Sequence, residues 1–224
     1  MLLSDWLDDK AFHDLSRRFS PTRLWQGGER YPMGRSSSAA HKLFLVGFMG
    51  CGKTTLGRLA AARLGGRFFD LDERIVAAAG RPIRDIFQLE GEAGFRRRES
   101  DLLRRLCAEE QRDRRWSVIA LGGGAFASPE NRACIAQSGC SLWLDVPFEV
   151  LAARVARDGS RPLWSSLEDA RSRYQLRRSD YAQADIHLAV GNATPQEAAS
   201  RIIRALAAWH FAHKSLDRSP ADDA

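Results

Sequence analysis

A run of eight residues, Gly47-Phe48-Met49-Gly50-Cys51-Gly52-Lys53-Thr54, satisfies the pattern G-x-x-x-x-G-K-[ST] in full, and Thr55 follows it. Glycines at these positions let successive backbone N–H groups turn inward onto phosphate oxygens, and a helix starting at Lys53 aims its positive end at the same charge. Lys53 is expected to bridge the β- and γ-phosphates, with the Thr54 hydroxyl on Mg²⁺. Gly50, Cys51, Gly52, Lys53, Thr54 and Thr55 are therefore the predicted nucleotide contacts. Downstream, Phe69-Asp70-Leu71-Asp72 brings two acids to the end of a short apolar run. One carboxylate can serve a magnesium shell and the other can accept a proton or orient an acceptor hydroxyl, the tasks phosphoryl transfer leaves to the protein. The residues alone leave open which does which, and Asp72 could equally cap a helix over 73–79.

Three later stretches carry further potential. Gly91-Glu92-Ala93-Gly94-Phe95-Arg96-Arg97-Arg98-Glu99 reads as the opening of a long helix. Leu121-Gly122-Gly123-Gly124-Ala125 closes an apolar run, and three glycines there either admit a ligand close to the backbone or merely form a turn. Arg161-Pro162-Leu163-Trp164 lies where helical continuity is poor, as in a movable lid.

Such residues need a frame that gathers them. Apolar runs at 42–46, 67–69, 117–121, 141–144 and 185–190 read as strands. Helical spacing fills 54–64, 92–109, 129–137, 148–157, 167–181 and 195–211. Strands alternating with helices predict an α/β fold: a three-layer α/β/α sandwich with a five-stranded parallel sheet, of the P-loop NTPase kinase type with a short lid. Ligands in such a sheet bind at the carboxyl ends of the strands. The catalytic domain is expected over 41–213. Residues 1–40, with Trp6, Phe12, Trp25 and a linker-like Gly34-Arg35-Ser36-Ser37-Ser38, are expected to be a flexible extension, and 214–224 a polar tail.

Composition narrows the class. A chain of 224 residues with 44% hydrophobic and 28% charged residues fits one globular domain. No apolar run reaches the roughly 18 residues of a membrane span, and the acids near the N-terminus argue against a secretory signal, so a cytoplasmic protein without a membrane partner is expected. Cys51, Cys107, Cys134 and Cys140 lack the paired spacing of a metal or redox motif. The net charge of +6 comes from arginine, whose planar fork suits phosphate and carboxylate. Aromatic interleaving of the kind that single-strand binders use is absent from the arginine clusters, so no nucleic-acid partner is expected.

Taken together, the P-loop, F-D-x-D, E-x-x-F-R-x-x-E, V-I-A-L-G-G-G-A, R-P-L and R-x-x-x-Y-x-x-A-D, in that order along residues 42–210, resemble the shikimate kinase family. The resemblance implies that ATP phosphorylates the 3-hydroxyl of shikimate and that the protein is a monomer. It implies that Asp70 holds Mg²⁺ through water and that Asp72 binds and activates the hydroxyl. Arg96, helped by Arg177, would grip the substrate carboxylate, with Gly122, Gly123 and Gly124 cradling the ring. Arg161 would close over the transferring phosphoryl group, and Arg154 would lie against adenine. The chain departs from the pattern at Ala120, where a hydroxyl is common, at Trp164, and at Ser179-Asp180, which puts an acid one turn from Arg177. A gluconate kinase and a nucleotide-binding regulatory protein that has lost catalysis are the competing readings.

Overall fold

The computed structural model describes residues 41–109, 115–158 and 166–216. Its frame follows from which strands are apolar throughout. β1 (Lys42–Val46) is buried at every position, and β3 (Ser117–Ala120) likewise, so both must lie inside the sheet. β5 (Ile186–Ala189) alternates shielded and exposed positions at one edge, β2 (Arg67–Asp70) is nowhere fully buried at the other, and β4 (Cys140–Asp145) is buried until its last residue. The resulting five-stranded parallel sheet runs β2-β3-β1-β4-β5.

Seven helices flank the sheet among the described residues: α1 (Lys53–Arg63), α2 (Leu71–Ala79), α3 (Ile83–Ala108), α4 (Pro129–Ser138), α5 (Phe148–Asp158), α6 (Leu167–Tyr181) and α7 (Pro195–Leu216). Several ends are set by local chemistry. Ser128 caps α4, accepting from Asn131 N at 3.2 Å ahead of Pro129 at the first helical position. Ser166 caps α6 by accepting from Asp169 N. The buried ammonium of Lys42 donates to Cys107 O at 2.5 Å and Glu109 O at 2.9 Å, tying the carbonyl end of α3 to the start of β1.

Register then determines where chemistry can gather. Leu45 and Asp70 both pair with Ala120, Val46 pairs with Trp143, and Asp145 pairs with Ala189. The carboxyl ends of the strands therefore finish along one edge. Because β1 sits between β3 and β4, the chain leaves it in one direction and later crosses to the other, which opens a crevice at that edge.

The expected strands stand within one to two residues of their places. The helix expected at 92–109 is longer: it begins at Ile83 and bends at Gly91, whose φ of 68° and ψ of 179° leave the helical region. α7 runs to Leu216, two residues past 214, where the tail is expected to begin. Residues 1–40 and the lid with Arg161 and Trp164 lie outside the described residues.

Candidate active site

The loop after β1 turns on glycines with positive φ, 145° at Gly47, 82° at Gly50 and 100° at Gly52. Only glycine adopts such angles at no steric cost, and the turns carry the chain into α1, whose N-terminal N–H groups have no partner within the helix. Lys53 Nζ donates to Gly47 O at 2.8 Å and Phe48 O at 3.1 Å, so the ammonium sits at the base of the loop. Cys51 turns its thiol into the core, where it is 1% exposed, and its N–H bonds Phe48 O at 3.2 Å. Thr55 is exposed on the first turn of α1. Arg154 on α5 reaches back to Gly50 O at 3.4 Å.

Thr54 Oγ1 donates to Asp70 Oδ2 at 2.7 Å, joining the loop to the end of β2. The other carboxylate oxygen of Asp70 caps α2, accepting from Asp72 N at 3.0 Å and Glu73 N at 3.4 Å. Capping thus belongs to Asp70, and the Asp72 side chain is left to face the crevice. Burial raises the pKa of Asp72 above the ordinary carboxylate value, Asp70 pushes the same way, and Lys53 and Arg96 oppose both.

Across the crevice runs the loop after β3, and each of its three glycines makes room for a different functional side chain. A Cβ on Gly122 would lie 2.9 Å from Asp72 Oδ1 and would collide with Glu99 Oε1. One on Gly123 would lie 3.3 Å from Arg177 Nη1, and one on Gly124 would meet the Arg96 guanidinium at 2.6 Å. Asp72, Arg177 and Arg96, from separate parts of the sequence, therefore converge on one stretch of three residues without side chains, Gly122–Gly124.

Arg96 is held in place by acids. Its Nη1 donates to Glu99 Oε2 at 2.7 Å and its Nη2 to Glu92 Oε1 at 3.2 Å. Glu99 is 1% exposed, its Oε1 has no hydrogen-bond partner among the described residues, and burial raises its pKa against the lowering effect of Arg96. On α6 the Arg177 guanidinium lies over the Phe48 ring at 5.8 Å, and Tyr181 Oη donates to Gly123 O at 2.5 Å, pinning the helix to the glycine loop.

Glu99 and Tyr181 are the members that sequence reasoning missed. Both belong to motifs quoted above, and a usable signal existed for each. Glu99 stands one turn from Arg96 on the face that carries buried Phe95 and Leu103, and Tyr181 stands one turn from Arg177. Asp180, which lies near Arg177 in sequence, points its carboxylate toward Arg132 on α4 at 3.7 Å.

Known proteins supply the comparison. The family model described as shikimate kinase matches residues 49–207. A shikimate kinase from Nostoc punctiforme is 43% identical over 171 residues, covering 73% of this chain and 90% of the relative. One from Neisseria gonorrhoeae is 50% identical over 122 residues, covering 54% and 69%. Among solved structures, shikimate kinase from Acinetobacter baumannii in complex with shikimate superposes with a TM-score of 0.67 at 33% identity, covering 75% of this chain and 93% of that one. A gluconokinase from Sinorhizobium meliloti gives a TM-score of 0.55 at 18% identity, covering 81% and 99%, a likeness of fold.

Proposed function

The chain belongs to the shikimate kinase family, and from that membership we propose that its crevice transfers the γ-phosphoryl group of ATP to the 3-hydroxyl of shikimate. The observation that carries the assignment of roles is the convergence of Asp72, Arg96 and Arg177 on Gly122–Gly124, one strand away from the P-loop lysine.

In this reading the substrate carboxylate lies between the forks of Arg96 and Arg177, an arrangement that charge-assisted hydrogen bonds favour. Glu92 and Glu99 hold the Arg96 guanidinium against the glycine loop before substrate arrives. Ring placement brings the 3-hydroxyl to Asp72. The hydroxyl oxygen forms its bond to the γ-phosphorus as the bond to the bridging β-γ oxygen breaks, and the hydroxyl proton passes to Asp72. Lys53 and the loop N–H groups meet the charge on the phosphates. Arg154 takes the adenine side, and Arg161 closes over the transferring group and keeps water out.

The Thr54 hydroxyl and the Asp70 carboxylate, in contact at 2.7 Å beside the P-loop, form a hard-oxygen pair of the kind Mg²⁺ selects. They would hold the ion, which supplies charge neutralisation between the β- and γ-phosphates. Ala120 offers no oxygen to this pair, although it lies directly beside Asp70 in the sheet. The enzyme is further read as a cytoplasmic monomer. Among the described residues no helix is long and apolar enough to cross a membrane.

The test is ADP formation by the full chain with shikimate, with gluconate and with neither. Shikimate-dependent turnover with at least a hundredfold preference in kcat/KM over gluconate is expected, on the order of what a misplaced carboxylate costs when a buried fork is left unpaired. A preference for gluconate, or ADP formation indifferent to either acid, would remove the assignment.

A further inference from the structure

An acid one turn beyond a substrate-binding arginine is a hazard. Residues three apart on a helix are neighbours, so the Asp180 carboxylate has Arg177 within reach as an intrahelical partner and could compete there with an incoming carboxylate. In the structure it does not. Asp180 Oδ1 lies 3.7 Å from Arg132 Nη1, and among the described residues Arg177 forms no ion pair. Arg132 is itself fixed. Its Nη1 donates to Phe126 O and Ala127 O, each at 2.8 Å, in the short 3₁₀ turn Ala125–Ala127 that follows Gly124 directly. The neighbouring Asn131 reinforces that turn, donating to Ala125 O at 2.9 Å. Both partners are largely shielded, with 19% of the Arg132 side chain and 29% of Asp180 exposed.

We infer that Arg132 is a positioning residue for the substrate-binding arginine: by holding Asp180 against the turn behind the glycine loop, it keeps the Arg177 guanidinium open for the substrate carboxylate. The geometry separates the two charges along α6. Arg177 faces Gly123 and Phe48, on the side where Tyr181 anchors the helix, while Asp180 is drawn off toward α4. Loss of the Arg132 charge frees the carboxylate to fold back on Arg177, and the two then neutralise each other where substrate must bind. This inference rests on the proposed role of Arg177.

Steady-state kinetics on the full chain test it. Arg132→Gln is expected to raise the KM for shikimate about threefold to tenfold, the scale of a partly exposed ion pair, while the KM for ATP and kcat change by less than about twofold. Asp180→Asn introduced into that variant is expected to bring the shikimate KM back to within about twofold of the wild type, because no carboxylate remains to occupy Arg177. A purely structural role for Arg132, as a clamp on Phe126 O and Ala127 O, predicts no such rescue, since the double variant still lacks both bonds. Arg132→Lys keeps a cation beside Asp180 with poorer geometry toward the carbonyls, and is expected to hold the shikimate KM within about twofold even if the glutamine variant folds badly. Failure of the rescue, or a lysine variant as impaired as the glutamine one, overturns the inference. Arg177→Ala separates the two levels: if it leaves the shikimate KM unmoved, the role of Arg177 itself is wrong, whereas a raised KM there with no rescue above rejects only the part played by Arg132.

Discussion

A carboxylate that must take a proton from an alcohol, in a pocket that also holds cations for phosphate and carboxylate, is pulled two ways. At Asp72 burial dominates and raises the pKa, with Asp70 adding to the effect, although Lys53 and Arg96 pull it down. The sign of the consequence is definite. As the proposed base, Asp72 acts only when ionised, so kcat/KM is expected to rise with pH as the group loses its proton, with the midpoint of that limb above the ordinary aspartate value. Asp72→Asn keeps the shape and removes the base, with an expected fall in kcat of about 10²- to 10⁴-fold. The acid limb of the kcat/KM profile, which reports the free enzyme, should disappear in the variant. A profile that keeps its limb would assign the titration to another group, with Glu99 the next in line because burial raises its pKa too.

Elements determine whether these residues meet at all. The loop after β3 works because it lacks side chains, and Gly124 shows this most plainly: a methyl group there collides with the Arg96 guanidinium at 2.6 Å. That guanidinium is the mobile end of a side chain, so Gly124→Ala should shift Arg96 off Glu92 and Glu99 rather than break the fold. The expected result is a rise in shikimate KM of about tenfold, with thermal stability lowered by no more than about 1–2 kcal/mol. A large loss of stability with unchanged KM would contradict it. The frame behind this loop was legible in the sequence, since β1, β3 and β4 are continuous apolar runs and α6 spans the residues 167–181 at which helical spacing was read. Asp70, Asp72, Arg96 and Arg177 were legible through their motifs. Three things were not. The first half of α3 was hidden because its continuity is broken at Gly91. The capping role fell to Asp70 rather than Asp72, a choice made by one backbone turn that spacing cannot resolve. Glu99 stands one turn from Arg96, which its spacing reports, but its approach to Gly122, like that of Arg132 to Asp180, is tertiary, and no local pattern reports such contacts.

For the molecule as a whole, the arginine-rich composition divides into two uses. Arg96 and Arg177 line the crevice, whereas Arg58–Glu73, Arg98–Glu90, Arg104–Asp101 and Arg171–Glu149 are ion pairs on helix surfaces and Arg178 pairs with Asp145 at the end of β4. Exposed pairs of this kind add little to stability, on the order of 0–1 kcal/mol each. The sheet supplies the rigidity: β1 and β3 carry the two glycine loops side by side, so donor and acceptor sites are separated by one strand spacing. In the proposed function, nucleotide and ring acid share this one crevice with Asp72 between them. A crystal structure of the full chain with shikimate, Mg²⁺ and a non-hydrolysable ATP analogue is the decisive measurement. The shikimate carboxylate is expected at about 3 Å from the guanidinium groups of Arg96 and Arg177, with a ring hydroxyl on Asp72 facing the γ-phosphate. A ring bound with its carboxylate on another cation, or a hydroxyl that faces away from Asp72, would contradict it.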